Sequence, residues 1–526
     1  MKKGAILTQQ FDVVVIGSGI GGLGAAAALA HHGRRVLVLE RHGQPGGLTQ
    51  TFERDGFRFN VGVHYLGEFG PGQSNRRIFD QLAGGRIEMA PIAGVYDRIH
   101  FPDFNLPFTP PAQELERTLK AAFPHEAAGI DRYLVAVSEA GHALGALMMT
   151  HSAPALLAAP VAWAKRRSFA RWVERTTWDV VCECVTDKRL RAVLCAQWGD
   201  YGSRPRESSF AAHAQVMGHY LGGAWYPVGG SASFARELGA TITAADGQVR
   251  TGAEVVGIDV DGGHVRGVRL RDGAAIACTR LISDAGVHNT LRLLPSAAVD
   301  YAWAAAAYAI APSLGHVGLY IGLEGDIAAH GADTANTWIY ENWDVNRVWR
   351  DPFKEAQAPA LFVSFPSLRD PAHQPGPRQR HTAEVIALVD WSVFGQWDRS
   401  DDADGMASGS AAAVRSEDYL AFKDLLRSNL RAQFERHFPG LAPMIRRVEA
   451  STPLSVATFT GAEHGAMYGL ATTPARFMSL ALKPRTPIGG LYLAGQDVCM
   501  PGVTGALMGG IMAAASIEPA VWKLLR

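Results

Sequence analysis

The chain has 526 residues, with 50 Lys and Arg set against 50 Asp and Glu. That length exceeds what one simple core serves, so two intertwined domains are expected, and the cancelled charge excludes an electrostatic hold on nucleic acid. Hydrophobic residues make up 48% and glycines number 57, which suits a glycine-rich α/β enzyme with an apolar pocket, while no apolar run reaches the length of a transmembrane helix.

The first residues, MKKGAILTQQFDVVVIG, open on Lys2 and Lys3 as a signal peptide does, but Thr8-Gln9-Gln10 and Asp12 interrupt the apolar run and no export signal is read. Val13 to Ile16 is a short continuous apolar run, the mark of a buried parallel strand. Gly17, Gly19 and Gly22 complete G-x-G-x-x-G directly after it, and an Ala-rich helix follows that stops at Gly33. A second run, Val36 to Leu39, ends in Glu40, with Arg41 next. Each part has a physical task. Gly17 permits the tight turn, Gly19 lets backbone approach a pyrophosphate, and Gly22 lets helix and strand pack closely. The helix start offers N–H donors to phosphate, and Glu40 stands where a carboxylate accepts from a ribose diol. Strand, glycines, helix, strand and acid in this order specify a dinucleotide site. Gly46 and Gly47 form a second glycine pair soon after, which a site for NAD alone does not require. GVHYLG follows and carries His64 and Tyr65.

Farther along, residues 141 to 178 run from an apolar Met- and Leu-rich stretch into Lys165, Arg166, Arg167 and Arg171 interleaved with Trp163, Phe169 and Trp172. This pattern reads either as a membrane-interface segment or as a helical pair with one core face and one solvated face. Cys182 and Cys184 have no matching second pair, so with Cys195, Cys278 and Cys499 they read as free thiols of a reducing cytosol, not as zinc ligands. The valines around Gly262-Gly263 alternate as a hairpin whose first strand carries Val255 and Val256. LISDAG reads as a further strand, and residues 316 to 325 and 382 to 391 as strands flooring a pocket. RDPAHQPGPRQRH reads as a Pro-rich loop. GLYLAGQD is a strand ending at a glycine, followed by Asp497 and a small-residue helix start holding Val503 and Thr504. No second strand–GxGxxG–helix unit and no metal-ligand spacing appear.

The N-terminal fingerprint together with FNVGVHYLGEFG, GGAWYPVGGS, STPLSVATFTGAEHGAMYGLATTPARF and LYLAGQDVCMPGVTGALMGG resembles the phytoene desaturase superfamily, most closely its retinol saturase and carotenoid isomerase branch. The resemblance spreads over most of the chain and is weakest in residues 85 to 180 and 320 to 420. It implies an α/β fold: a Rossmann-type FAD-binding domain assembled from residues 1–75, 215–300 and 480–526, and an inserted α+β substrate domain from 76–214 and 301–479 that partly faces a membrane. It implies bound FAD, with Gly17, Gly19, Gly22, Glu40, Arg41, Gly46, Gly47, Val256, Asp497, Val503 and Thr504 around it. In flavoproteins of this kind the Gly46-Gly47 pair lets backbone pass close to the cofactor, Val256 runs beside the adenine, and the tail closes the site. It also implies a lipid substrate, a polyene or unsaturated acyl chain, and a cytoplasmic protein held peripherally at a membrane. The electron donor or acceptor stays open.

Flavin N5 gives or takes a hydride, so the protein needs to hold an alkene there, exclude water and offer one proton donor. His64 is the favoured donor and Tyr65 the next, with Tyr201, His219, Tyr220, Glu463, His464 and Tyr468 as further candidates. The expected reaction is saturation of a carbon–carbon double bond. The alternatives are desaturation of a carotenoid precursor or a methylated fatty acyl chain, flavin-dependent cis–trans isomerisation, lipid carriage with structural FAD, and amine oxidation.

Overall fold

The computed structural model describes residues 11–153, 155–397 and 416–525; the stretch with Lys2 and Lys3 lies outside the described residues. Five short strands form a parallel sheet in the order Gln248–Arg250, Val36–Leu39, Val13–Ile16, Leu281–Ser283, Leu491–Leu493. The central strands are apolar throughout and buried on both faces, as parallel strands covered by helices must be. Val15 stands level with Val38 on one side and Ile282 on the other, so chain positions far apart in sequence meet in one register.

Two helices cover one face of this sheet by direct backbone contact. Ile20–Ala30 is buried along its whole length, and Gly502–Ile517 crosses it. The crossing is built on glycine: a Cβ on Gly510 would lie 2.0 Å from the Gly21 carbonyl oxygen, and one on Gly24 would lie 2.3 Å from Leu507 Cδ1. Helix Ser74–Ala83 joins the same core through Ile78, Phe79 and Leu82. The boundary read at residue 75 therefore falls inside a helix that packs with the nucleotide-binding core. The expected hairpin forms a separate antiparallel sheet of Val255–Asp261, His264–Leu270 and Ala275–Ala277, and both turn glycines, Gly262 at φ 57° and Gly263 at φ 75°, take the left-handed conformation a two-residue turn requires.

The second body centres on a seven-stranded sheet, ordered Ile445–Ser451, Gly315–Glu324, Arg380–Val389, Ala360–Ser364, Asn336–Tyr340, Asp97–Phe101, Phe104–Phe108. The two strands read from residues 316–325 and 382–391 are its long central pair. Their alternation divides two environments. Val317, Leu319, Ile321, Val385 and Ala387 pack in one core with Phe422, Leu426 and Leu430 of helix Glu417–His437, while His316, Ile386 and Leu388 face a large cavity. Helices Ala127–Ser152, Ala155–Trp172 and Phe210–Tyr220 form a helical layer beside it. Phe169 and Trp172 of the basic–aromatic stretch are buried in that layer, whereas Leu156 and Trp163 are 90% and 69% exposed. Among the described residues no helix is long and apolar enough to cross a membrane.

Candidate active site

One cavity of about 1910 Å³ runs from the nucleotide-binding sheet to the large sheet. Gly17, Gly19, Glu40, Arg41, Gly46 and Gly47 line its first end. Gly17 sits at φ 92°, where other residues are strained, and a Cβ on Gly22 would lie 2.1 Å from the Gly17 carbonyl, so the turn and the strand–helix contact both demand glycine. A Cβ on Gly47 would stand 3.2 Å from Gly19 Cα, so two stretches of bare backbone meet at the cavity wall. Glu40 ties the loop together. Its Oε2 accepts from the Ser18 N–H at 2.9 Å and the Ser18 hydroxyl at 2.6 Å, and its Oε1 accepts from the His42 N–H at 2.7 Å. A carboxylate has about four lone-pair sites, so one stays available for the ribose contact expected of it.

Asp284, which follows strand Leu281–Ser283, was not singled out by the sequence. Its Oδ2 accepts from the Gly22 N–H at 2.8 Å, at the start of the first helix. Burial pushes its carboxyl up to about 8, with the charges of Asp497 and Glu40 acting in the same direction and the Gly22 hydrogen bond opposing them. Asp497 is buried and hydrogen-bonded at both oxygens: Oδ1 accepts from the Leu470 N–H and Oδ2 from the Val287 N–H, each at 3.0 Å. It thus clamps two loops where they meet the cavity. Val503 lines the cavity and the Thr504 hydroxyl is buried without a protein partner. Val256 lines it beside Val255, and Arg41, also in the wall, donates to the Thr458 carbonyl. These residues fit FAD. The glycine turn and helix start, where a Cβ on Gly47 would stand against Gly19, suit the pyrophosphate, and Glu40 suits the ribose.

The far end of the cavity joins aromatic and aliphatic walls, among them Trp338, Phe362 and Leu388, to polar groups, of which two concern the chemistry. His64 is one. Its Nδ1 lies 3.0 Å from Ser364 Oγ and 3.1 Å from Glu384 Oε2, and its Nε2 is buried without a partner. Asp200 is the other, and it too was missed from sequence. Behind it lies Tyr65, buried out of the wall and stacked on Tyr220 at a centroid distance of 4.2 Å. The Tyr65 hydroxyl stands 2.7 Å from Asp200 Oδ2 and 3.0 Å from Asp97 Oδ2. Burial raises both carboxyls, Asp97 to about 7, against the pull of hydrogen bonds from Asn336, Gln197 and Tyr65.

The remaining candidates divide between core and wall. Tyr201 is buried against His213, and His219 accepts the Gly67 N–H at 2.7 Å with burial pushing it down to about 4. Glu463 pairs with His288 at 2.6 Å and Arg292 at 2.9 Å, and those two outweigh burial to hold it at about 2. His464 stacks on Trp391, and Tyr468 lines the cavity. The five cysteines are unpaired, and among the described residues no group of His, Cys, Asp or Glu is placed to hold a metal ion.

Comparison with known proteins accords with this geometry. Residues 15–82 match the family described as NAD(P)-binding Rossmann-like domain. An all-trans-retinol 13,14-reductase from Danio rerio is 32% identical over 96% of this chain and 85% of its own length. A chloroplastic prolycopene isomerase from Daucus carota is 26% identical over 96% of this chain and 80% of its own. In three dimensions the chain shares its fold with cyclohexylamine oxidase from Brevibacterium oxydans, at a TM-score of 0.62 and 17% identity over 98% of each chain. The two-part cavity, the glycine cradle fitted to FAD and the near-full-length likeness to the retinol reductases together make this chain a member of the phytoene desaturase-like superfamily of FAD-dependent oxidoreductases, in its retinol 13,14-reductase branch.

Proposed function

We propose that the protein saturates a carbon–carbon double bond of a long apolar polyene of the retinoid or carotenoid kind. The observation that carries this is the single cavity joining the FAD cradle to the aromatic and aliphatic wall, supported by the likeness to all-trans-retinol 13,14-reductase. Bound FAD in its reduced form supplies a hydride. The chain's own residues do the rest. Gly17, Gly19, Gly22, Gly46 and Gly47 give the cofactor's phosphates access to backbone, Glu40, Arg41 and Val256 bound its adenosine end, and Asp497, Val503 and Thr504 bound its ring end. Trp338, Phe362 and Leu388 hold the polyene and exclude water. In this reading His64 faces the substrate as a wall residue, while Tyr65 reaches it through Asp200.

A second reading, cis–trans isomerisation of a carotenoid, draws on the likeness to prolycopene isomerase. One experiment separates them. The holoprotein is reduced anaerobically and mixed in turn with retinol, a carotenoid precursor and an unsaturated fatty acid. Saturation returns the oxidised flavin spectrum and gives a product two hydrogens heavier. A product of unchanged mass with altered double-bond geometry replaces this reading by isomerisation. Bleaching of the oxidised flavin by a more saturated chain replaces it by desaturation.

The exposed ridge of Met149, Leu156, Val161 and Trp163 beside Lys165, Arg166 and Arg167 is taken in the same proposal as the face that meets lipid, apolar side chains entering and cations meeting headgroups.

A further inference from the structure

The hydrogen bonds behind the cavity wall contain one proton too few if both carboxyls there are ionised. The Tyr65 hydroxyl has a single proton, yet its oxygen lies within hydrogen-bond distance of Asp200 Oδ2 at 2.7 Å and of Asp97 Oδ2 at 3.0 Å. One proton satisfies one contact. The other would set lone pair against lone pair unless a carboxyl carries a proton of its own.

The surroundings decide which carboxyl that is. Asp97 receives an N–H from Gln197 on Oδ2 at 2.6 Å and one from Asn336 on Oδ1 at 2.9 Å. It is supplied as an anion is supplied. Asp200 has no such donor among the described residues: its side chain meets Tyr65 alone. The arrangement is therefore Asp200 O–H to Tyr65 oxygen, and Tyr65 O–H to Asp97 carboxylate. Burial and the neighbouring Asp97 charge both push Asp200 in the same direction, well above the usual carboxylate range. Asp97 is outside the cavity lining, whereas Asp200 lines the cavity next to Gly199, which packs directly on the Trp338 ring.

We propose that Asp200 is the proton donor of the reaction, resting protonated with its O–H on Tyr65 and turning that O–H into the cavity to deliver its proton to the substrate carbon beside the one that takes the hydride. The inference rests on the saturase reading. The π bond of the alkene breaks and two C–H bonds form, one from the hydride of reduced FAD and one from the Asp200 proton. The electron pair leaves the flavin, which ends oxidised, and Asp200 ends as a carboxylate that later regains a proton from water. The Tyr65 hydroxyl makes that carboxylate tolerable. It turns from Asp97, which keeps its Gln197 and Asn336 donors, to Asp200, already 2.7 Å away.

The test compares wild type, Asp200→Asn, Tyr65→Phe and His64→Gln holoprotein, reduced anaerobically and mixed with the polyene or with a small quinone, whose reduction puts no proton on carbon. Asp200→Asn is expected to slow reoxidation by the polyene at least about 100-fold, the low end of what a general acid contributes, and Tyr65→Phe to slow it less. Quinone reoxidation reports an intact, loaded flavin site. Polyene reoxidation at the wild-type rate in Asp200→Asn overturns the proposal, as does an equal loss with both acceptors, or a loss confined to His64→Gln. A second readout uses the flavin-free chain. The infrared difference spectrum of wild type minus Asp200→Asn, taken in an Asp284→Asn background to remove the other strongly raised carboxyl, is expected to show the carbonyl stretch of a protonated carboxylic acid, shifted in heavy water; no such difference band overturns the assignment of the proton. If no polyene reoxidises the wild-type flavin, the saturase reading falls, while the infrared result still decides whether Asp200 holds the proton.

Discussion

Thr504 and Asp284 show what a single buried polar group does beside the nucleotide-binding helices. The Thr504 hydroxyl is buried without a partner in the chain, which costs stability. Thr504→Val is expected to leave the flavin-free protein as stable as wild type or slightly more so, and thermal melts check it. Asp284 acts through its proton. Its folded value of about 8 lies above the unfolded value of about 3.9. The unfolded chain thus ionises first, and stability contributed by the protonated carboxyl, fully present below about pH 4, is lost as pH rises through about 8. Asp284→Asn removes this loss, so the melting difference between variant and wild type should grow in the variant's favour from pH 5 to pH 8. At this scale the sequence was legible where the chemistry imposes a local pattern. Gly17, Gly19, Gly22 and Glu40 stand in one spaced motif because a phosphate and a ribose dictate what surrounds them. Asp284, Asp200 and Asp97 obey no such spacing. Asp284 meets Gly22 across 262 residues and Asp200 meets Tyr65 across 135, and a carboxyl's meaning there comes from burial, which a one-dimensional string does not carry.

Among the elements, the crossing of Ile20–Ala30 and Gly502–Ile517 sets the tightest requirement. Gly510→Ala would place a methyl 2.0 Å from the Gly21 carbonyl oxygen and 3.0 Å from the Ala25 nitrogen, so backbone itself would have to shift. The expected cost is about 2 kcal/mol or more, seen as a lower thermal midpoint and as weaker flavin retention, since Gly21 and Gly22 lie in the first turn of the helix proposed to receive the phosphates. Gly239→Ala is the control. It lies within helix Ala232–Ala244 with nothing within 4 Å of its Cβ position, and should be neutral or stabilising by up to ~1 kcal/mol. Strands were legible as apolar runs bounded by glycines, and the Gly262-Gly263 hairpin as a turn signal. The boundary read at residue 75 cuts helix Ser74–Ala83, since Ile78, Phe79 and Leu82 announce an apolar face without naming what covers it. The basic–aromatic stretch combined two readings for the same reason: Phe169 and Trp172 turned inward to the core, Leu156 and Trp163 outward.

For the whole molecule, the exposed ridge lies on the helices that carry Met149, Leu156 and Trp163, so it is testable apart from the chemistry. Arg166 lies over the Trp163 ring at 4.5 Å, so cation and aromatic side chain are already adjacent. A Leu156→Asp, Trp163→Asp double variant should lose flotation with vesicles containing anionic phospholipid while keeping its flavin and staying within about 0.5 kcal/mol of wild-type stability; unchanged flotation removes the ridge from the lipid-facing role. The order of the parallel sheet has a different consequence, for the life of the protein before it is finished. Strand Leu491–Leu493 completes one edge of the sheet against Leu281–Ser283, and Gly502–Ile517 seals the helix that opens the phosphate turn. On the ribosome, nearly all of the seven-stranded body is made before those pieces emerge. FAD capture is therefore expected to wait for them, and until then the nascent chain carries an open sheet edge and an uncovered Ala-rich helix, the period in which a holdase would find the most to bind.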